Sequence, residues 1–264
     1  MVKAAAKAGI PTAVHESNAV PGLTTEMLEP FADRIMVGFE ACRQYYKHPE
    51  RVCVTGTPVR GDFFALTKAE ARKRLGMEDD RPLIVSFWGS LGAAGMNRQM
   101  ADFLALEAAK EPFHHIHATG SFGWEWMPGL VKEKGVDLEH TPSIDMREYI
   151  FNMPTVMAAA DVIISRAGAA TCNEIGASAT PSILIPSPNV TANHQEKNAR
   201  VLYDHGVTVL ILEKDCTPEV MYKEIRGLLA DEARREAISA KLRKLVRHDS
   251  TERICDIVEE LAHK

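Results

Sequence analysis

The chain has 264 residues, of which 45% are hydrophobic and 25% charged, as in ordinary globular proteins and unlike disordered chains. Its 31 basic and 36 acidic residues give a formal net charge of −5. This balance lacks the basic excess of nucleic-acid-binding domains, so we expect no nucleic acid partner. The five cysteines are scattered without a CxxC pair, which favours a reducing compartment over a disulfide framework. We expect no secretory signal and no membrane span, because no apolar run is long enough.

Short β-rich runs alternate with helical stretches along the whole chain, which indicates a parallel α/β architecture. The first series contains three predicted strands, at Pro11–His15, Arg34–Gly38 and Arg51–Thr55. The segment Gly56–Arg60 then breaks the pattern, and a charged helix is predicted over Thr67–Leu75.

A second series of strands begins at residue 83 and is interrupted by helices. Its predicted strands are Leu83–Phe87, Phe113–Ala118, Asp161–Ser165, Ser182–Ile185 and Val207–Leu212. Helices open near Ala170 and His194, and the spacing of Met96 and Met100 predicts that both are core residues of another helix. This series is a full Rossmann-like set, whereas the first series is short. The pattern therefore predicts two domains: an incomplete one at 1–60 and a second at 61–246.

Three loops that follow strands of the second series are candidates for ligand binding, because ligands in open α/β sheets lie beyond the carboxyl ends of strands. These are Trp88–Gly92, Ser165–Glu174 and Pro186–Gln195. Glycines in the first loop allow close approach of a phosphate to a helix N-terminus, although a simple tight turn explains them equally well. Gln195 and its neighbour His194 either reach sugar hydroxyls or are solvated loop residues.

Glu174 has two interpretations. It follows Thr171 at the spacing of a capping box, so that it caps its own helix. Alternatively, its carboxylate accepts hydrogen bonds from ribose hydroxyls. The spacing alone favours the cap.

Histidines raise two further questions. His15 and Glu16 stand at a strand exit and have the side-chain types of general bases, although a structural turn is an equal alternative. His115 and His117 share one face of a predicted strand, but no third ligand is evident, so we predict no metal site.

Several segments in a fixed order resemble those of the MurG family over essentially the whole chain. The segments that carry the resemblance are Pro11–Gly22, Thr55–Arg60, Gly89–Ala93, Thr119–Gly120, Ala160–Glu174, Pro181–Pro186 and Asn193–Ala199. The resemblance implies a GT-B-type α/β fold with two Rossmann-like domains facing a cleft. It also implies that a C-terminal helix at 247–264 packs back on the first domain. It also implies an inverting hexosyltransferase without metal or other cofactor, which transfers N-acetylglucosamine from UDP-N-acetylglucosamine to the undecaprenyl-linked muramoyl-pentapeptide of peptidoglycan synthesis.

The resemblance also implies roles for individual residues and a location in the cell. The catalytic candidates are His15 and Glu16, and the substrate-binding candidates are Asn18, Arg60, Ser90, Ile150, Ala169, Ala170, Thr171, Cys172, Asn173, Glu174 and Gln195. In this assignment Ile150 meets the uracil through its backbone, Glu174 meets the ribose, and Asn18 lies on the acceptor side. The expected location is the cytoplasmic face of the bacterial membrane, as a peripheral protein.

The chain departs from the family in several places. Ser17, Trp88 and Ala170 stand where the family usually has Gln, Gly and Leu, and the large Trp88 requires a phosphate to approach from Gly89 onwards. The family's opening glycine-rich loop, with a histidine proposed to assist catalysis, has no counterpart, so we expect an incomplete first domain with exposed apolar surface. The alternatives are an inactive UDP-sugar-binding module, another GT-B enzyme or a UDP-sugar epimerase. A nicotinamide-dependent dehydrogenase is less favoured because a GxGxxG pattern is absent.

Overall fold

The computed structural model describes residues 1–110 and 113–263, and its strands form two parallel sheets. The first sheet has the order β1-β2-β3, with strands Ala13–Glu16 (β1), Arg34–Val37 (β2) and Val52–Val54 (β3). The three strands predicted for the first series are thus confirmed, with ends shifted by one or two residues. Two short helices, Val2–Lys7 (α1) and Leu23–Leu28 (α2), flank β1 along the chain.

The second sheet has six parallel strands in the order β6-β5-β4-β7-β8-β9. They are Leu83–Phe87 (β4), His114–Ala118 (β5), Ile144–Arg147 (β6), Val162–Ser165 (β7), Ser182–Leu184 (β8) and Thr208–Leu210 (β9). Counted from β4, this is the 3-2-1-4-5-6 order of a dinucleotide-binding Rossmann sheet. The five strands predicted for this series are confirmed, and β6 is an additional strand that the sequence pattern did not predict.

Helices connect the strands of the second sheet and cover its faces. They are Lys68–Arg74 (α3), Ala94–Lys110 (α4), Ser121–Trp124 (α5), Met127–Glu133 (α6), Met153–Ala159 (α7), Ala169–Ser178 (α8), His194–Asp204 (α9), Pro218–Ala230 (α10) and Glu232–Leu245 (α11). The last helix of the chain is Ser250–Ala262 (α12). Short 3-10 segments occur at Glu29–Phe31, Glu40–Tyr45, Pro49–Arg51, Gly61–Phe64, Thr191–Asn193 and Glu213–Asp215.

Each sheet has its own hydrophobic cluster. Every residue of the central strand β4 is buried, as expected for a parallel strand that is covered on both faces. Met96 and Met100 of α4 pack against it with no exposed surface, which confirms their prediction as core residues. The smaller cluster of the first sheet includes Ile35, Val37 and Tyr46.

The C-terminal helix α12 contacts the first sheet. Glu260 of α12 forms an ion pair with Arg34 of β2 at 2.8 Å. At the start of α12, Ser250 is buried and lies so close to Gly56 that a Cβ on this glycine would be 2.5 Å from the Ser250 hydroxyl. These contacts agree with a C-terminal helix that crosses back to the first sheet. The domain boundaries at residues 60 and 246 stay a prediction.

Candidate functional site

The six-stranded sheet forms a crevice where its strand order reverses. Strands β4 and β7 are neighbours in the sheet. The chain runs from β4 to β5 on one side of this pair and from β7 to β8 on the other side. Ligands of open α/β sheets bind at such a point, beyond the carboxyl ends of the strands. The loops that follow β4, β7 and β8 (residues 88–93, 166–168 and 185–193) therefore form the candidate site.

The loop after β4 turns on two glycines with positive φ. Gly89 and Gly92 have φ angles of +87° and +81°, a region in which residues with a Cβ are strained. A Cβ on Gly92 would lie 2.1 Å from the carbonyl oxygen of Thr119, so the loop after β4 packs directly against the loop after β5. Between the glycines, the side chain of Ser90 is exposed and accessible to a ligand.

Trp88 points into the protein and leaves the loop open. It is only 4% exposed, and its ring lies 6.0 Å from the guanidinium carbon of Arg166. The ring edge of His117 faces it at a centroid distance of 6.4 Å. The bulk of Trp88 is therefore accommodated below the loop, and the backbone from Gly89 onwards remains accessible.

The N-terminus of α8 points into the crevice from the end of β7. Its N-cap is Gly168, which forms no side-chain capping bond, so the first amides of the helix are available to a ligand. These amides carry the positive end of the helix dipole and favour an anion. Ala169, Ala170 and Thr171 of this turn are at least partly accessible, whereas Cys172 and Asn173 are buried.

Glu174 does not cap its helix, so the interpretation as a capping residue is wrong. Because α8 begins at Ala169 with Gly168 as N-cap, Thr171 and Glu174 lie within the helix. A capping box does exist elsewhere, where Thr67 and Glu70 exchange hydrogen bonds at the start of α3. Burial raises the pKa of the Glu174 carboxyl, and the charge of Arg60 opposes this shift.

The loop after β8 is held by Gln195. Its Oε1 accepts a hydrogen bond from the backbone N–H of Ser187 at 2.9 Å, and His194 donates from Nδ1 to the carbonyl of Thr191 at 2.8 Å. Ala192 has a φ of +53°, a conformation that costs a non-glycine residue about 1–3 kcal/mol. Strained backbone of this kind is concentrated at ligand sites.

On the first sheet, Glu16 organises the loop that follows β1. Its carboxylate accepts hydrogen bonds from the backbone and side chain of Asn18, both at 2.9 Å, and from Gly22 and Thr25, both at 2.8 Å. Burial raises the pKa of Glu16, but these hydrogen bonds outweigh it and the net pKa is lowered. Both oxygens are thus engaged within the loop, an arrangement that favours a structural anion over a general base.

His15 is oriented by the backbone beyond β3. Its Nε2 lies 2.9 Å from the carbonyl oxygen of Gly56, which can only accept, so Nε2 carries the proton in this contact. The other ring nitrogen, Nδ1, lies 3.4 Å from the hydroxyl of Ser17.

Ile150 lies beside an open aromatic groove. The residue as a whole is only 1% exposed. The neighbours Tyr149 and Phe151 are exposed, with ring centroids 5.0 Å apart. Together with Ser90 and Ser121 they line a cavity of about 450 Å³, which suits a flat heterocyclic ring.

His115 and His117 of β5 belong to a buried hydrogen-bond network. The hydroxyl of Ser86 lies 2.8 Å from Nε2 of His115 and 2.7 Å from Nδ1 of His117. On the other side, Nδ1 of His115 lies 2.7 Å from the buried carboxylate of Glu107. Within residues 1–110 and 113–263, no three His, Cys, Asp or Glu side chains are placed to hold a metal ion.

Comparison with known proteins identifies the family of this chain. The sequence profile of the glycosyltransferase family 28 C-terminal domain matches residues 83–254. The UDP-N-acetylglucosamine--N-acetylmuramyl-(pentapeptide) pyrophosphoryl-undecaprenol N-acetylglucosamine transferase of Acetivibrio thermocellus is 40% identical over 97% of the chain and 68% of its own length. The protein of the same name from a Thermoanaerobacter species is 42% identical over 97% and 70%. The chain belongs to the MurG family.

Solved structures show the same fold. MurG of Acinetobacter baumannii superposes with a TM-score of 0.74 at 24% identity, over 97% of this chain and 69% of that protein. The Anabaena protein HepE in complex with UDP and glucose gives a TM-score of 0.62 at 14% identity, over 97% and 73%. The fold is therefore that of the GT-B glycosyltransferases, as predicted. Among the described residues, no helix is long and apolar enough to cross a membrane.

The residues that the MurG resemblance singled out fall into two groups. Ser90, Ile150, Gln195 and the N-terminal turn of α8 surround the crevice of the second sheet, whereas His15, Glu16 and Asn18 lie on the first sheet. The exposed Arg60 follows β3 and acts electrostatically on Glu174. Cys172 and Asn173 are buried. The substrate assignments of all these residues stay predictions.

Two residues of the site were not predicted. Arg166 forms an ion pair with Glu213 at 2.6 Å and donates to the carbonyl of Ile185 at 3.0 Å, which ties the loops after β7 and β8 together. Asn198 joins the loop after β1 to the loop after β7. It lies inside a segment that carries the MurG resemblance, but helical periodicity cannot predict hydrogen bonds to residues so distant in the chain.

Proposed function

We propose that this chain transfers N-acetylglucosamine from UDP-N-acetylglucosamine to undecaprenyl-pyrophosphoryl-N-acetylmuramoyl-pentapeptide, inverting the anomeric carbon without a metal. Membership of the MurG family supports this reaction, since the relatives named above carry it in their names. The observation on which the proposal depends is the α8 N-terminus, which opens without a side-chain cap into the crevice at the reversal of strand order. Such a helix end binds the diphosphate of a nucleotide sugar.

The donor is proposed to lie along the carboxyl edge of the second sheet. The uracil occupies the groove beside Tyr149 and pairs with the backbone of Ile150, while Glu174 accepts hydrogen bonds from the ribose hydroxyls. Ser90 and the amides at Ala169–Thr171 hold the diphosphate, and Gln195 binds sugar hydroxyls. These groups supply hydrogen bonds and a positive helix end to the phosphates, so the chemistry needs no metal to hold them.

Transfer requires a base on the acceptor side and a stabilised leaving group. We assign the base to His15, whose Nδ1 takes the proton from the 4-hydroxyl of the acceptor. The oxygen attacks the anomeric carbon of N-acetylglucosamine, and the bond from this carbon to the phosphate oxygen breaks with its electron pair going to UDP. The α8 N-terminus stabilises the charge that develops on UDP. Glu16 keeps the acceptor-side loop in shape, and Asn18 and Arg60 line the acceptor side of the cleft.

The lipid tail of the acceptor requires the protein to work at a membrane surface. We therefore propose peripheral attachment at the cytoplasmic face, where the soluble donor is available.

The test is titration of the 264-residue chain with UDP and UDP-N-acetylglucosamine by calorimetry, followed by a transfer assay with a water-soluble analogue of the lipid-linked acceptor. Binding together with transfer of the sugar in inverted configuration supports the proposal. Binding without transfer identifies a UDP-sugar-binding module instead. A folded sample that binds neither nucleotide contradicts the donor site.

A further inference from the structure

Asn198 is a buried polar residue on α9 that contacts the loop after β1 and the loop after β7. It has no exposed surface. Its Oδ1 accepts a hydrogen bond from the backbone N–H of Ala19 at 2.8 Å, and its Nδ2 donates to Oδ1 of Asn18 and to the carbonyl of Ala167, both at 3.1 Å. A buried amide left without such partners is destabilised, so the two loops and the side chain fix one another.

Each end of this connection meets a part of the proposed active site. Ala167 directly precedes Gly168, the N-cap of the helix that is proposed to bind the diphosphate. Asn18 is held by the Glu16 carboxylate in the acceptor-side loop. One turn before Asn198 on the same helix, Gln195 orders the loop after β8.

The hydrogen-bond chain therefore runs without a break from the donor crevice to the acceptor-side loop. It begins at the loop before α8, passes through one amide side chain, and ends at the carboxylate of Glu16. The three contacts use both donor hydrogens and one acceptor site of Asn198, so the amide cannot rotate without breaking at least one contact. A ligand that fixes α8 or Gln195 must therefore also restrict residues 17–22.

We propose that Asn198 is a positioning residue that couples donor binding to the acceptor-side loop, so that a bound nucleotide sugar orders residues 17–22 for the second substrate. The inference rests on the proposed function, because it assumes that the two loops hold the donor and the acceptor. By linkage the coupling is reciprocal: an acceptor that binds the ordered loop strengthens donor binding by the same factor.

The first experiment measures hydrogen exchange of the Ala19 amide by NMR, with and without saturating UDP. In the wild-type chain UDP is expected to slow this exchange, although UDP itself binds at the other sheet. In Asn198→Ala the gain in protection is expected to disappear while UDP still binds. An equal gain in protection in both proteins would overturn the proposal.

The second experiment measures the affinity for UDP by calorimetry with and without the soluble acceptor analogue. We expect the analogue to tighten UDP binding about fivefold or more in the wild type, a factor typical of coupled sites. The factor should fall to about one in Asn198→Ala and be reduced in Asn18→Ala. Asn18→Ala removes only one of the three contacts and serves as the readout if Asn198→Ala does not fold.

Asn97→Ala is the matched control. Asn97 is also a helical asparagine without exposed surface, but its Nδ2 donates to the carbonyl of Thr119 within the second domain. It should lower the melting temperature and leave the coupling factor unchanged, which separates coupling from general loss of stability. Transfer with no coupling in the wild type would refute the role of Asn198 and leave the proposed function intact. Absence of UDP binding and of transfer would refute both.

Discussion

Glu174 is a half-buried carboxylate beside the helix end that is proposed to hold UDP. Its pKa is raised by burial and lowered by Arg60, and no residue of the described chain occupies its oxygens with a hydrogen bond. Glu174→Gln keeps the shape and removes the charge. Because hydrogen bonds to charged groups contribute about 1.5–3 kcal/mol, we expect UDP affinity measured by calorimetry to fall about tenfold, or 1.4 kcal/mol.

Glu70→Gln is the control for that substitution, since it alters an exposed carboxylate in the α3 capping box. It should leave UDP affinity unchanged. If Glu174→Gln binds UDP as tightly as the wild type, the ribose assignment is wrong.

His117 makes the stability of the protein depend on pH. Burial, reinforced by the charge of His115, lowers its pKa from 6.5 to about 3. Between these values the unfolded chain binds a proton that the folded chain excludes. The free energy of unfolding is therefore expected to decrease as the pH falls from about 6.5 towards 3, with a contribution of about 1 kcal/mol per pH unit.

The contribution of His117 is isolated by comparison of variants in urea unfolding at several pH values. Glu107 acts in the opposite direction, because burial raises its pKa and the folded chain then holds the extra proton. His117→Asn can retain the contact with Ser86 but does not titrate, so its loss of stability with acid should be smaller than in the wild type. His205→Asn controls for removal of an exposed imidazole. Equal slopes for His117→Asn and the wild type would refute this account.

At the scale of elements, the contact between the loops after β4 and β5 shapes the proposed phosphate site. Gly92→Ala would place a Cβ 2.1 Å from the Thr119 carbonyl oxygen in addition to the strain of its positive φ. Gly89 has a similar φ, but no atom would lie within 4 Å of a Cβ at this position. Gly89→Ala should therefore lose only the stability that the strained backbone costs, about 1–2 kcal/mol.

We therefore expect urea unfolding to show a larger loss of stability for Gly92→Ala than for Gly89→Ala, by more than about 1 kcal/mol. The larger loss follows from the backbone shift that the clash imposes on both loops. Similar losses in the two variants would show that the loops separate easily.

Elements with strong hydrophobic patterns were predictable, and weakly patterned ones were not. The central strand β4 is buried throughout and therefore stands out as an apolar run. The edge strand β6, Ile144–Arg147, has only one buried residue, so nothing in its composition distinguishes it from a loop. The predicted opening of α8 near Ala170 agrees with its first residue, Ala169. The Thr171–Glu174 spacing, however, wrongly indicates a capping box, because both residues lie within the helix.

The residues of the site were predicted from the family resemblance, whereas their partners required the structure. Residue type alone left His15 and Glu16 equivalent as bases. Their hydrogen bonds distinguish them. Both oxygens of Glu16 accept hydrogen bonds within its own loop, whereas Nδ1 of His15 faces the hydroxyl of Ser17. Asn198 illustrates the same limit, since its partner Ala19 is 179 residues away in the chain.

At the scale of the whole molecule, the two sheets differ in how well they are covered. Helices pack on both faces of the six-stranded sheet, whereas α1 and α2 beside the three-stranded sheet contain no buried residue. The side chains of Ile10, Leu23 and Met27 are 58%, 67% and 66% exposed. Parallel sheets are normally covered on both faces, and exposed apolar residues of this kind promote association.

We therefore expect the chain to self-associate as its concentration rises, which sedimentation velocity would detect as an increase in the weight-average sedimentation coefficient. The double variant Leu23→Lys and Met27→Lys should reduce the association, because it places charge on the exposed face of α2. Tyr203→Lys introduces one lysine on α9, at a residue that is 50% exposed, and should leave the association unchanged. If the wild-type chain stays monomeric at all concentrations, or if Tyr203→Lys dissociates it equally well, the apolar surface beside the first sheet is not what drives association.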